Sequence, residues 1–115
     1  MIKEASMFTD EIRTHMRGGE GDVRIRNVLT EAELNGKGRL FGTITLEPGC
    51  SIGYHVHEGD SEIFYVLEGT PVYNDGGAER QVSPGDVLIC PEGTGHALSN
   101  PTEKTAVVMA LIVYA

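Results

Sequence analysis

Apolar and polar residues alternate with a period of two along much of the chain, and turn residues interrupt the alternation at short intervals. Residues 23–29 (VRIRNVL) alternate apolar with basic side chains, which predicts a half-buried β-strand. Residues 39–46 (RLFGTITL) predict another, and Pro48-Gly49 then turns the chain. Further strands are expected over residues 52–57, 62–67, 70–73, 80–82, 87–90 and 96–100. Asn74-Asp75-Gly76-Gly77 is a hairpin signal, and Pro84-Gly85, residues 91–95 and Asn100-Pro101 mark further turns. The last run, residues 105–114 (TAVVMALIVY), is apolar on both faces, so both need cover. One face belongs over an interior, the other under a second sheet or a dimer partner. Short strands with a turn about every ten residues predict an all-β sandwich or small barrel.

Two stretches read differently. Thr30 and Glu33 have the spacing of a capping box, so one helical turn is expected there, ended by Asn35-Gly36-Lys37-Gly38. Within residues 1–22, Phe8, Ile12 and Met16 fall four apart, a weakly helical spacing, before Gly18, Gly19 and Gly21 interrupt it. Gly19-x-Gly21 lacks a third glycine and a preceding strand, so it is not a dinucleotide-binding loop. Residues 1–22 are expected to form a short N-terminal arm packing across another surface. Residues 23–115 are expected to form the barrel.

Composition narrows the function classes. A chain of 115 residues makes one domain with a real core. The net charge of −8 argues against nucleic acid and anionic membrane surfaces, because nothing would replace phosphate counterions. A small anionic ligand remains compatible, since a buried metal can dominate the local field. Two cysteines, Cys50 and Cys90, are too few for a disulfide framework and point to a reduced, cytoplasmic setting. The N-terminus carries charges where a signal peptide would be apolar. The longest apolar run, residues 106–115, falls well short of the ~20 residues that a spanning helix needs.

Candidate chemistry concentrates in residues 49–69, GCSIGYHVHEGDSEIFYVLEG. On a strand, His55 and His57 project from one face, and Glu62 returns on the neighbouring strand. His96 opens a later strand straight after a glycine-rich turn. Three imidazoles and a carboxylate suit Mn, Fe, Co, Ni, Cu or Zn better than Ca or Mg. Around an octahedral ion they leave two positions open, facing an anionic or enolate-like oxygen donor. By parity Phe64, Val66 and Leu98 point inward and Tyr54 outward. Asn100 is expected to stabilise the Asn-Pro turn. Glu58 and Asp60 are expected to be solvated on the turn, His15 to be an arm residue, and both cysteines to be inert. Parity leaves open whether Arg24, Arg26 or Arg39 reaches the interior to bind a carboxylate.

The spacing also carries a resemblance. Gly49, five residues, His55-x-His57, four residues, Glu62, six residues and Gly69 make the first motif. Gly85, five residues, Pro91-x-Gly93, two residues, His96, three residues and Asn100 make the second, after fifteen intervening residues. Both resemble the two defining motifs of the cupin family, with every marker position matched. The resemblance implies an antiparallel double-stranded β-helix, a jelly-roll barrel of six to eight strands, often dimeric. It implies one divalent transition metal (Mn, Fe, Ni or Zn) at His55, His57, Glu62 and His96.

Residues 36–69 most resemble small one-domain cupins of oxalate decarboxylase-like type. The two-domain decarboxylases behind that label carry an arginine just ahead of the first metal histidine, and a catalytic glutamate on a lid. Here Ser51, Ile52, Gly53 and Tyr54 precede His55, and no lid insertion is visible. The expected function is a small metalloenzyme of decarboxylase, oxygenase or isomerase type, acting on a carboxylate or hydroxylated small molecule. The alternative is a non-catalytic module that captures a small anion or sugar on the metal. The expected assembly is a homodimer.

Overall fold

A computed structural model describes residues 1–115. It contains no α-helix. Ten strands run in order: β1 (Thr9–Thr14), β2 (Asp22–Leu29), β3 (Gly38–Leu46), β4 (Ser51–Val56), β5 (Asp60–Glu68), β6 (Val72–Asp75), β7 (Ala78–Gln81), β8 (Val87–Cys90), β9 (Gly95–Ser99) and β10 (Ala106–Tyr114). All pairings are antiparallel. One sheet has the order β1-β2-β3-β10-β5-β8, the other β4-β9-β6-β7. They pack face to face as a jelly-roll.

The core is the shared interior of the two sheets. The large sheet contributes Val23, Ile25, Ile44, Leu46, Phe64, Val66 and Val108, and the small sheet Ile52, Tyr73 and Leu98. Phe64, Val66 and Leu98 point inward and Tyr54 outward, as the alternation predicts. The expected capping box is formed: the Thr30 N–H donates to Glu33 Oε1 at 2.9 Å, and the Glu33 N–H to Thr30 Oγ1 at 3.1 Å. Asn100 is buried and saturated. Its amide donates to the Leu46 and Lys104 carbonyls at 2.8 and 2.7 Å, and its oxygen accepts from the Thr102 N–H at 3.1 Å.

The arm departs from expectation. Residues spaced for a weak helix form β1 instead, paired with β2 from Thr9↔Asn27 to Thr14↔Asp22. The reason is tertiary: β2 would otherwise present an unpaired edge. Ile12 is exposed, whereas Met16, beyond the strand, packs against the core.

A second departure sits in β4. Its pairing with β9 jumps from Ile52↔Leu98 to His55↔His96, so β4 carries one extra residue. Strict alternation would put Ile52 and His55 on opposite faces. The bulge lets both line the interior. Gly53 lies within it, and a Cβ there would overlap the Arg17 carbonyl oxygen.

Leu98 tests the packing. Its truncation to Ala should cost about 2–5 kcal/mol, as for other large-to-small core changes, read from chemical denaturation midpoints.

Candidate metal centre

The two sheets bring His55, His57, Glu62 and His96 to one point at one end of the barrel. His55 on β4 lies directly across from His96 on β9. His57 follows the end of β4. Its N–H donates to the Thr94 carbonyl at 3.0 Å, and its carbonyl accepts from the Gly93 N–H at 2.7 Å. The glycine-rich turn thereby aligns His57 beside His96. Glu62 comes from the opposite sheet, in register with Ile112 of β10 and Cys90 of β8.

One ligand-capable atom from each of the four lies within 4.8 Å of the others. His57 Nε2 is 3.1 Å from His96 Nε2. Glu62 Oε1 is 3.2 Å from His57 Nε2 and 3.0 Å from His96 Nε2. Transition metals bind imidazole nitrogen at about 2.0–2.1 Å, so two ligands at right angles stand roughly 3 Å apart. The observed spacings fit that requirement.

Each imidazole is also held from behind. His57 Nδ1 meets Asp60 Oδ1 at 2.6 Å, His55 Nδ1 meets the Gly53 carbonyl at 2.8 Å, and His96 Nδ1 meets the Tyr73 hydroxyl at 3.0 Å. Bonds on Nδ1 orient the rings and aim the Nε2 atoms of His57 and His96 at Glu62. The Phe64 ring stacks on His96, with centroids 5.2 Å apart and planes within 11°.

The electrostatics favour positive charge at the centre. Burial would raise the Glu62 carboxyl, but hydrogen bonds from His57 and His96 outweigh it and hold Glu62 below its ordinary value. The Glu62 carboxylate, with Asp60 adding to it, holds His57 above its ordinary value against desolvation. His55 is pushed down, first by burial and then by neighbouring positive charge, that of Arg17 included. Three imidazoles gathered around one buried carboxylate are a donor set that suits a divalent cation.

Asp60 corrects the sequence reading. It is buried at the start of β5, not solvated on the turn. Burial tends to raise its carboxyl, but Arg39 and then His57 pull it below the ordinary value. Arg39 Nε donates to Asp60 Oδ2 at 2.9 Å, so Arg39, Asp60 and His57 form a chain leading to the centre. Of the three arginines that parity left open, Arg39 lines the pocket with its side chain about a third exposed, Arg26 pairs with Asp10 in the open, and Arg24 is exposed. Glu58 is exposed, as expected. Cys90 is buried, donates to the Thr94 carbonyl at 3.4 Å, and has its thiol pushed up by burial, which fits an inert role.

A pocket of about 80 Å³ opens onto His55, His57 and Glu62. Arg13, Arg17 and Arg39 line it together with Glu11 and apolar residues. Its size suits a ligand of a few heavy atoms rather than a drug-sized one. The strand and loop formed by residues 9–21 supply Arg13 and Arg17. No local pattern pointed to these residues or to Tyr73, because their placement depends on which strands become neighbours.

A jelly-roll with this cluster at one end is a cupin architecture. Residues 42–114 match the family described as Cupin domain. The chain is 35% identical over 113 residues to the oxalate-binding protein of Thermotoga maritima, covering 98% of this chain and 93% of that protein. It also superimposes at a TM-score of 0.94, with 35% identity and full coverage of both chains, on a Thermotoga maritima structure described as a predicted oxalate decarboxylase. Quercetin 2,3-dioxygenase of Bacillus subtilis is 31% identical over 102 residues, which is 84% of this chain but 30% of that enzyme. The chain belongs to the cupin family.

Truncating Asp60 to Ala strips Arg39 and His57 Nδ1 of their shared acceptor. Arg39 is about a third exposed, so water replaces part of what is lost. The expected cost in metal-free protein is therefore about 1–3 kcal/mol by chemical denaturation, below the roughly 3–5 kcal/mol of a fully buried pair.

Proposed function

We propose that the protein holds one divalent transition metal (Mn, Fe, Ni or Zn) at His55, His57, Glu62 and His96, and binds a small carboxylate of the oxalate class there. The observation that carries this is a convergent three-imidazole, one-carboxylate set at the floor of a small pocket whose wall is rich in arginine. The oxalate-binding relative supports the ligand class. When bound, the ion supplies Lewis acidity and a formal charge of about +1 beside the one carboxylate, which attracts an anionic oxygen donor. The chain's own residues do the rest. Asp60, Tyr73 and the Gly53 carbonyl orient the imidazoles, Phe64 stacks on His96, Ile112 adds apolar wall, and the arginines offset negative charge on the ligand.

A second reading makes the same site a small metalloenzyme of decarboxylase, oxygenase or isomerase type. It is favoured by Glu11, a titratable carboxylate on the pocket wall outside the four-residue cluster. In both readings residues 23–115 are the metal-binding barrel and residues 1–22 an arm that walls its mouth. Free thiols at Cys50 and Cys90 suit a reducing cytoplasm.

The assembly we propose is a homodimer formed through the outer face of the large sheet. Register places Met109, Tyr65 and Val87 in one row across β10, β5 and β8, and Leu111, Ile63 and Ile89 in the next. Neither row contains a charge, and Tyr65, Val87 and Ile89 are exposed. A second copy offers the same uncharged surface, so a two-fold contact is self-complementary.

Protein prepared without chelator should contain about one equivalent of metal per chain by elemental analysis, and the Glu62→Ala variant should lose it. Calorimetric titration of the loaded protein with oxalate tests the ligand, and assays for carbon dioxide release and oxygen uptake separate binding from turnover. Metal-free wild type would sink the proposal. The Ile89→Glu variant should convert a dimer to a folded monomer in light scattering.

A further inference from the structure

We infer that Arg17 is the specificity residue of this site: its guanidinium, presented by the loop between β1 and β2, receives the carboxylate end of the ligand that points away from the metal-ligating cluster. This rests on the metal-and-carboxylate reading above and names the group that recognises the ligand.

The first reason is charge accounting. Three arginines line the pocket. Arg39 is committed to Asp60 at 2.9 Å, and Arg13 lies 3.3 Å from Glu11. Arg17 forms no ion pair or side-chain hydrogen bond within the chain. It is the one pocket arginine whose donors are all unspent. Arg17 lines the same pocket as His55, His57 and Glu62.

The second reason is the backbone. Arg17 has φ 55°, in the left-handed region that side chains rarely adopt. Glycine would sit there without strain, and the same loop uses glycine at Gly18, Gly19 and Gly21. His15 shares that conformation at φ 52°, but of the two only Arg17 lines the pocket, which makes it the candidate for a role of its side chain. The loop is also fastened. The Glu20 N–H donates to Ser51 Oγ at 2.8 Å, and the Ser51 N–H to the Glu20 carbonyl at 2.9 Å. The Arg17 carbonyl lies against Gly53, and Gly19 against the Ser51 carbonyl, approaches that no Cβ would permit. Gly53 is two residues from His55, so docking of the loop fixes Arg17 relative to the cluster.

The chemistry selects the ligand class. A guanidinium accepts a planar carboxylate through two parallel hydrogen bonds, and an ammonium cannot reproduce that fork. The pocket of about 80 Å³, lined by Arg17 as well as by His55, His57 and Glu62, has room for a short dianion.

The test compares metal-loaded wild type with R17Q and R17K, using oxalate as the calorimetric probe and measuring metal content and thermal midpoint in parallel. R17Q should weaken oxalate binding about ten- to a hundredfold, the range for a lost charged hydrogen bond, with metal content and midpoint unchanged. R17K should recover part of the loss through its charge. Equal oxalate affinity in R17Q and wild type overturns the inference. So does a parallel loss of metal or stability in R17Q, which would make Arg17 structural. Failure of loaded wild type itself to bind oxalate overturns the underlying reading, and this inference with it.

Discussion

Glu62, one buried carboxylate, faces three imidazoles drawn from the opposite side of a barrel, and much of the mouth is arranged around that meeting. Burying these groups together is costly unless positive charge sits among them. The protein manages this from the outside inward. Asp60, Tyr73 and the Gly53 carbonyl each hold one ring by its Nδ1, and Arg39 anchors Asp60 in turn. The arrangement is rigid because its supports lie on strands or at their ends. Tyr73 and Phe64 belong to the hydrophobic core itself, so core packing and site geometry are one problem.

The N-terminal residues extend the same logic to the pocket wall. β1 completes the edge of the large sheet, and the loop that follows it returns across the sheet boundary to dock on β4. Glycine at Gly19 and Gly53 removes the side chains that would hold the two backbones apart. Pocket-lining arginines therefore come from a part of the chain remote in sequence from the histidines. The net charge of −8 is no obstacle to an anionic ligand, because arginine is concentrated at the mouth while carboxylates dominate elsewhere.

The large sheet carries two kinds of apolar surface. Ala106, Val108, Ala110 and Ile112 of β10 are buried in the barrel, whereas Val107, Met109, Leu111 and Val113 are only half-buried on its other side. The small sheet does not reach them. A central strand that is apolar on both sides, in a sheet covered on one, leaves a surface suited to another apolar surface.

Much of the barrel and of the cluster was legible in the chain. Period-two alternation, turn residues and two spaced motifs located nine of the ten strands and singled out His55, His57, Glu62 and His96, although His57 lies just past the end of β4 rather than on it. These signals are local: they follow from φ/ψ preference, side-chain parity and short spacings, which neighbouring residues suffice to set. β1 was misread because its conformation follows from the edge of β2, a partner that spacing does not reveal. Asp60 was misread because a turn residue is ordinarily solvated, and Arg39, 21 residues earlier, joins His57 in making its burial tolerable. Tyr73 behind His96, the bulge that turns both Ile52 and His55 inward, and the seating of Arg17 beside Gly53 likewise depend on strand order and register. The sequence by itself determined nine of the strands and the four clustered side chains. Tertiary structure alone decided what supports them and what faces them, because those contacts join residues that only folding makes neighbours.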